Sequence, residues 1–219
     1  MGKALAAWLL VAGAMAATPT SPKDVVQTAV TRVITVLQQA EIDRSESDQG
    51  GRVSGERHRT EIRRIAGELF DFDDMARRTL SRHWLARSAD EQAEFVQLFT
   101  ALLERSYIGR IESYSGEKIV YLGETIDDGY AVVKSRVMTR RRTETPVDYR
   151  LQLRDGKWRV YDVLIDGVSF VSTYRSEFNR IIQLSSYASL VDKMRKRSIQ
   201  TTVLDRGGRV GAASPRTGD

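Results

Sequence analysis

The chain has 219 residues, a formal net charge of +5 at pH 7 and no cysteine. The absence of cysteine excludes disulfides, thiolate catalysis and cysteine metal sites. Basic and acidic residues are mixed along the chain, so the small positive charge gives little support for nucleic acid as a partner. A chain of this length is long enough for one domain with a sizeable core.

The N-terminal segment has the pattern of a secretory signal peptide. Lys3 provides a basic start, an apolar run covers residues 4–13, and residues 14–16 have the small side chains of a cleavage site. The run is shorter than the ~20 apolar residues that a membrane-spanning helix needs. We therefore predict a signal peptide over residues 1–17, cleaved near Ala16 or Ala17, and an exported, soluble protein.

The next part of the chain has helical periodicity. Apolar residues from Val25 to Leu37 fall on one stripe and predict a first amphipathic helix. Residues 43–56 are rich in Gly, Ser and charged side chains, which predicts an exposed connection. A second helix is predicted over residues 62–70.

Two capping signals follow the second predicted helix. Asp71 or Asp73 is placed to cap a third helix that carries Met75, Leu80 and Trp84. The segment 88–91 has capping-box spacing and is predicted to open the longest helix of the chain.

From residue 116 the period changes from helical to two. Segments 119–122, 131–138 and 147–153 are strand candidates, and a turn at 155–156 leads into a fourth strand from Trp158. Helices followed by hairpin-linked strands predict an α+β fold with a mainly antiparallel sheet of about four strands. A wide-faced helix follows the sheet, a final helix is expected at about 185–198, and residues 205–219 are predicted to be a disordered tail.

The sequence contains little that is typical of an enzyme. It has no phosphate-binding Gly-rich loop ending in Lys-Ser/Thr, no nucleophile elbow and no HExxH motif. His58 is interpreted as a solvated helix residue, and His83 has no carboxylate or second histidine nearby in the sequence to form a triad or a metal site. No metal ligand and no catalytic residue is therefore predicted.

Two aspartates and an arginine turn have two interpretations each. Asp162 is in strand register with Trp158 and Val160, which would suit a buried general base, although such an acid more often bonds to backbone or pairs with an arginine. Asp166 is the second candidate for a buried general base, but residues 166–167 are better explained as a turn and the N-terminal cap of the following helix. The arginines at 140–142 are either a solvated turn or a contact for lipid phosphates or an acidic partner.

The strand from Trp158 to Asp162, followed by residues 166–169 and an amphipathic helix, resembles the MlaC family of periplasmic phospholipid-binding proteins, also described as toluene-tolerance proteins. Residues 72–76 and the segment around Trp84 support the resemblance, which covers roughly residues 25–198. The polar stretch 43–55 departs from the family pattern.

The resemblance implies a single domain over residues 18–200, in which a helical layer packs on a twisted sheet and encloses an apolar pocket. It implies a periplasmic, monomeric, non-enzymatic carrier whose cargo is a glycerophospholipid and which needs no cofactor. The carrier would exchange lipid between an outer-membrane lipoprotein–porin complex and the lipid-binding ring of an inner-membrane ABC transporter, which maintains outer-membrane lipid asymmetry. Because this chain has no nucleotide-binding motif, the exchange would be passive.

The side chains expected at the pocket are apolar or aromatic and come from several predicted elements. They are Phe72, Met75, Trp84, Phe99, Leu103, Tyr149, Leu151, Val163, Ile165, Val168, Phe170, Tyr174 and Phe178. Two alternative functions stay open from the residues alone: an exported interaction module whose groove holds a partner helix, and an enzyme that uses Asp162 as a pocket acid.

Overall fold

The computed structural model describes residues 20–46, 51–139 and 143–199 and has the predicted α+β class. The predicted signal peptide, the arginine turn at 140–142 and the C-terminal tail lie outside the described residues. In chain order the elements are α1 (Pro22–Glu46), α2 (Gly51–Leu69), α3 (Phe72–Leu80), a 3₁₀ turn (Ser81–His83), α4 (Ala89–Glu112), β1 (Lys118–Asp127), β2 (Tyr130–Met138), β3 (Glu144–Arg154), β4 (Lys157–Ile165), β5 (Val168–Ser169), α5 (Phe170–Leu184) and α6 (Tyr187–Arg195). No helix within these ranges combines the length and the apolar character needed to cross a membrane.

The sheet is an antiparallel meander with the strand order β1-β2-β3-β4-β5, which confirms the predicted topology and adds a short fifth strand. Three of its hairpins turn on an Asp-Gly pair, at 128–129, 155–156 and 166–167. Both residues of each pair have positive φ, as a two-residue hairpin of the type I′ class requires. The turns therefore fix the register of three of the four strand pairs locally, and only the pairing of β2 with β3 lacks such a turn.

The connection between the first two helices is shorter than the sequence predicts. Residues 43–56 are expected to be exposed and irregular, but α1 continues to Glu46 and α2 begins at Gly51. Asp43 accepts a hydrogen bond from Ser54 at 2.8 Å and lies 3.3 Å from the His58 ring. These contacts between α1 and α2 outweigh the low helix propensity of glycine. They also correct the interpretation of His58, whose side chain is largely buried between the two helices.

Helix caps are partly as predicted. Ser88 and Glu91 form the predicted capping box at the start of α4. The prediction that this helix is the longest is wrong, because α4 has 24 residues and α1 has 25. Asp71 caps α3, which ends at Leu80, so that Trp84 lies beyond it. The prediction for residues 166–167 is correct for the turn but wrong for the cap, because β5 intervenes and Ser169 caps α5.

A buried ionic cluster fixes α3. Asp74 is 2% exposed and accepts hydrogen bonds from Arg77 and Arg78. Burial is the largest single influence on the pKa of Asp74 and raises it, but the two arginines together outweigh burial, so the pKa lies below its ordinary value of 3.8. The charged carboxylate therefore stabilises the folded state at pH values above 3.8, and this contribution is lost as the pH falls through the lower folded value.

We expect Asp74→Asn to lower the free energy of unfolding by roughly 3 kcal/mol at pH 7, because it removes one partner of a buried ion pair. The difference from the unchanged protein should shrink as the pH falls below 4. Urea unfolding at a series of pH values measures this, with exposed Asp73→Asn as the matched control. An equal loss of stability in both variants, or a loss that does not depend on pH, would contradict the assignment.

The domain contains two packed cores rather than one. The first core joins α3, α4, α5 and α6 around a cluster of aromatic rings that includes Phe95, Phe99, Tyr174 and Phe178. The second core joins α1 and α2 to the sheet. Phe70 packs against both, and the adjoining Asp71 N–H donates to the Val160 carbonyl at 2.8 Å, which ties the helical layer to the sheet.

A β-bulge in β4 decides which side chains face the helices. Leu151 pairs with Val160, but the preceding residue Arg150 pairs with Asp162, so Tyr161 is the extra residue. Strict alternation would place Asp162 on the same face as Val160. The bulge instead turns Val163 to that face and Asp162 to the other.

Candidate functional site

Two adjoining cavities lie between the two cores. The α4 cavity has a volume of about 590 Å³ and is bounded by α2, α3, α4, the start of α5 and strands β2 to β4. The α1 cavity has a volume of about 500 Å³ and is bounded by α1, α2, the end of α4 and strands β1 to β3. Both volumes are within the ~300–1,000 Å³ typical of ligand pockets.

The two cavities are parts of one space, which we call the apolar cleft. The residues that line both cavities are Ile62, Ala66, Phe70, Arg110, Ile111, Val137 and Tyr149. The cleft exists because the helices that would cover the sheet are spread: α2 packs on α1, and α4 packs on α3 and α6, with little direct packing between α2 and α4. Apolar side chains therefore face a space that no protein side chain fills.

Aromatic pairs line the α4 cavity. The rings of Phe70 and Phe72 stack with centroids 5.7 Å apart, and those of Tyr107 and Phe170 stack at 4.8 Å. Burial raises the pKa of the Tyr107 and Tyr149 hydroxyls well above the ordinary value. Both tyrosines are therefore neutral at physiological pH, and the interior of the cleft carries no charge from them.

Four of the described residues that line the cleft are charged, Arg63, Glu104, Arg110 and Glu117, and none of the four is buried. Arg63 Nε on α2 donates to Glu104 Oε1 on α4 at 2.5 Å. Arg59 on α2 forms a bidentate ion pair with Glu112 on α4, in which Nε donates to Oε1 at 2.6 Å and Nη2 donates to Oε2 at 3.1 Å. We call these two ion pairs the α2–α4 strap, because they join the two helices; Arg63 and Glu104 also line the cleft, whereas Arg59 and Glu112 do not.

Seven of the thirteen predicted pocket residues line the apolar cleft in the structure. They are Phe72, Met75, Leu103, Tyr149, Val163, Ile165 and Phe170. The structure therefore brings together residues from α3, α4, β3, β4 and α5, which are up to 98 positions apart in sequence.

The other six predicted residues do not line either cavity. Phe99, Tyr174 and Phe178 are fully buried in the first core, and Leu151 is fully buried in the second. Trp84 packs against the first core beyond the end of α3, and Val168 pairs with Ile165 at the sheet edge. An amphipathic pattern marks a buried face, but it does not distinguish a filled core from a lined space.

Several cleft residues are absent from the predicted set. Tyr107 and Ile108 come from α4, Val137 and Val147 from the sheet, and Phe70 from the α2–α3 junction. The α1 stripe also lines the space, through residues that include Val30 and Val33. The sequence showed this stripe as an amphipathic face, which was the only signal that α1 contributes to the cleft.

Asp162 has a structural role. It is buried, and its carboxylate accepts hydrogen bonds from the Ser169 hydroxyl at 2.6 Å and the Val171 N–H at 3.1 Å, with Arg150 at 3.5 Å. It thus holds the first turn of α5 and does not line the cleft. This placement does not support the pocket-acid interpretation.

We expect Asp162→Asn to lower the free energy of unfolding by about 1–2 kcal/mol, because the Val171 N–H in the first turn of α5 loses its charged acceptor. Any ligand of the apolar cleft should be retained, since Asp162 faces away from it. Thermal unfolding and ligand content of the purified variant check the two statements. A folded variant that has lost its ligand would instead show that Asp162 contributes to ligand binding.

Within the described residues, no three His, Cys, Asp or Glu side chains are grouped to hold a metal ion. His83 Nε2 lies 3.0 Å from the Asn179 amide oxygen, outside the cleft. The described part of the chain therefore offers the cleft as its main candidate site.

Comparison with known proteins gives both sequence relatives and a structural neighbour. Toluene tolerance protein ttg2D of Pseudomonas putida is 25% identical over 124 residues, which cover 56% of this chain and 58% of that protein. The intermembrane phospholipid transport system binding protein MlaC of Haemophilus influenzae is 22% identical over 134 residues, covering 59% of this chain and 63% of that protein. The chain thus aligns with about three fifths of the length of each of these curated relatives.

A solved structure has the same fold. It is the phospholipid-binding protein of Ralstonia solanacearum in complex with a phospholipid, with a TM-score of 0.68, 22% identity and coverage of 81% of this chain and 97% of that one. The family described as MlaC protein matches residues 27–196, which is most of the chain. The resemblance inferred from the sequence is thereby confirmed, and the chain belongs to the MlaC family.

Proposed function

We propose that this protein is a phospholipid carrier that holds acyl chains in the apolar cleft. The observation that carries the proposal is the cleft itself, two adjoining cavities of about 590 and 500 Å³ walled by apolar and aromatic side chains. The phospholipid bound by the Ralstonia solanacearum protein and the name of the Haemophilus influenzae relative support it.

Transfer energies explain why such a carrier needs a large apolar space. Each methylene removed from water contributes about 0.8 kcal/mol, so an acyl chain of ordinary length contributes on the order of 10 kcal/mol. A soluble carrier must therefore cover the chains almost completely. Because none of the charged lining residues is buried, we propose that the head group stays outside and that chain number and length matter more than head-group type.

The residues proposed to contact acyl chains are those that both the sequence and the geometry place at the cleft. They are Phe72, Met75, Leu103, Tyr149, Val163, Ile165 and Phe170, to which the structure adds Ala66, Phe70, Tyr107, Ile111 and Val137. Four residues predicted from the sequence, Phe99, Leu151, Tyr174 and Phe178, are proposed to act indirectly by packing the walls.

The transport role is also a proposal. Export to the periplasm, passive exchange between an outer-membrane lipoprotein–porin complex and an inner-membrane ABC transporter, and maintenance of outer-membrane asymmetry rest on the family relationship. The lack of a nucleotide-binding motif in the sequence agrees with a carrier that draws on energy used elsewhere.

The proposal is tested by native mass spectrometry of the exported protein, purified from the periplasm without detergent, followed by organic extraction and lipid analysis. We expect near-stoichiometric phospholipid with varied head groups. A folded protein that is empty, and that stays empty after incubation with vesicles, would overturn the carrier function. The groove-binding module would then be the better assignment, and capture of a partner helix would be sought.

A further inference from the structure

A second, polar cavity lies outside the apolar cleft, between the 3₁₀ turn and the outer face of α5. It has a volume of about 380 Å³, and none of its lining residues lines the apolar cleft. We call it the cationic cleft and define it by Ser81, Arg82, His83, Arg175, Asn179 and Gln183. The aromatic core on the inner face of α5 separates it from the proposed lipid space.

The composition of the cationic cleft favours a negatively charged ligand. It contains two guanidinium groups and an imidazole, together with hydroxyl and amide groups, and no Asp or Glu is among the described residues that line it. Neither Arg82 nor Arg175 forms an ion pair with a carboxylate of the described residues. In contrast, Arg180 on the same helix is bonded to Glu177 at 2.7 Å.

A single amide holds the Arg82 guanidinium and the His83 ring in place. The Asn179 Oδ1 atom accepts a hydrogen bond from Arg82 Nη2 at 2.8 Å and lies 3.0 Å from His83 Nε2. Asn179 therefore fixes the turn against α5, so that Arg82 is oriented before any ligand binds. Such preorganisation lowers the entropic cost of binding.

Two exposed leucines are close in sequence to residues that line the cationic cleft. Leu85 follows the 3₁₀ turn and is 90% exposed, and Leu184 follows Gln183 and is 74% exposed. These are the two most exposed of the large hydrophobic side chains in the described residues. Apolar anchors beside complementary charge are characteristic of protein interfaces.

A free anion would gain little here. Arg82, Arg175 and Gln183 are exposed to solvent, and an ion pair in water is worth only about 0–1 kcal/mol. A protein segment that covers the cleft excludes water and strengthens the same charge pairs, while its apolar side chains cover the leucines. The surface therefore suits a protein partner better than a small ion.

We propose that the cationic cleft is the docking site for an acidic segment of a protein partner, with Arg82 and Arg175 binding its carboxylates and Leu85 and Leu184 contacting neighbouring apolar side chains. The site is separate from the proposed lipid-binding cleft, so docking and cargo occupy different surfaces. The proposal stands whether or not the apolar cleft binds phospholipid.

The test uses a random peptide library displayed on phage and selected on the purified protein. We expect enriched peptides to carry Asp or Glu next to Leu, Ile or Phe. The dissociation constant of the best peptide should rise by at least about tenfold in Arg82→Glu/Arg175→Glu and by less than about twofold in Arg180→Glu, because only the first two line the cleft. Leu85→Ser/Leu184→Ser should weaken binding as well, with circular dichroism confirming that each variant is folded.

Three results would overturn the proposal. One is selection of the same peptides on the unchanged protein and on the Arg82→Glu/Arg175→Glu variant. Another is saturable binding of inorganic phosphate at low millimolar concentration, followed by NMR, which would assign a small-anion site. The third is binding to phosphatidylglycerol vesicles that the double variant alone loses, which would assign a membrane contact.

Discussion

Ala66→Trp should empty the apolar cleft of phospholipid while leaving the protein folded. Ala66 lies on α2 at a position that lines both cavities, so a tryptophan there projects into the space that they share. Displacing only two or three methylenes of a bound chain costs about 2 kcal/mol, which lowers the affinity by more than about tenfold. When the variant and the unchanged protein compete for phospholipid from the same vesicles, we therefore expect the variant to bind it with at least about tenfold lower affinity.

The neighbouring residue provides a matched control. Gly67 is exposed on the same helix, and a side chain added there meets no atom within 4 Å. Gly67→Trp adds the same bulk to the solvent side of α2 and should keep its phospholipid. A folded Ala66→Trp protein with a full lipid content would show that acyl chains lie elsewhere, whereas equal loss in both variants would indicate a general effect on α2.

A covalent link across the α2–α4 strap should block exchange of phospholipid. The ion pairs of the strap are partly exposed, so each is worth about 0.2–1 kcal/mol and opening both costs on the order of 1 kcal/mol. Thermal motion readily breaks ion pairs of this strength, but it does not break a covalent link. We therefore propose that lipid passes between α2 and α4, where the helices have little direct packing.

The absence of cysteine makes this prediction easy to test. Arg63→Cys/Glu104→Cys introduces the only two thiols in the chain, which a short bis-maleimide with a cleavable disulfide can join. Transfer of a fluorescent phospholipid between protein and vesicles should slow by at least about tenfold after linking, equivalent to about 1.4 kcal/mol on the barrier. Cleavage of the linker should restore the rate.

The control link joins two helices away from the cleft. Arg195 on α6 is paired with Glu94 on α4, and neither residue lines a cavity between the cores. Linked Glu94→Cys/Arg195→Cys should exchange phospholipid at the rate of the unlinked protein. Unchanged transfer in the linked α2–α4 variant would mean that the lipid uses another opening.

Much of the fold follows from local signals in the sequence. The Asp-Gly pairs at 128–129, 155–156 and 166–167 act within a few residues and direct the chain into hairpins wherever they occur. The capping box of Ser88 and Glu91 likewise depends on four consecutive residues. The antiparallel meander and the start of α4 were therefore predictable, as was the α+β class.

The limits of the prediction come from contacts between distant segments. Glycines at 50, 51 and 55 suggested an irregular connection, and only the packing of Asp43 against Ser54 and His58 shows why α2 begins at Gly51. Strict alternation of side chains along β4 predicted that Asp162 shares a face with Val160, which is wrong because of the bulge at Tyr161. No local pattern in the sequence, such as a glycine, marks this bulge.

The amphipathic faces, the turns and the family motifs are properties of neighbouring residues, and the sequence alone specified them. Whether an apolar face is filled or left open depends on how far apart the helices lie, which no single segment contains. Phe178 and Phe170 illustrate the difference, since both belong to the apolar face of α5, but the first is sealed in an aromatic core and the second lines the cleft. Only the tertiary structure, with two cores that do not meet between α2 and α4, created the space proposed for the lipid.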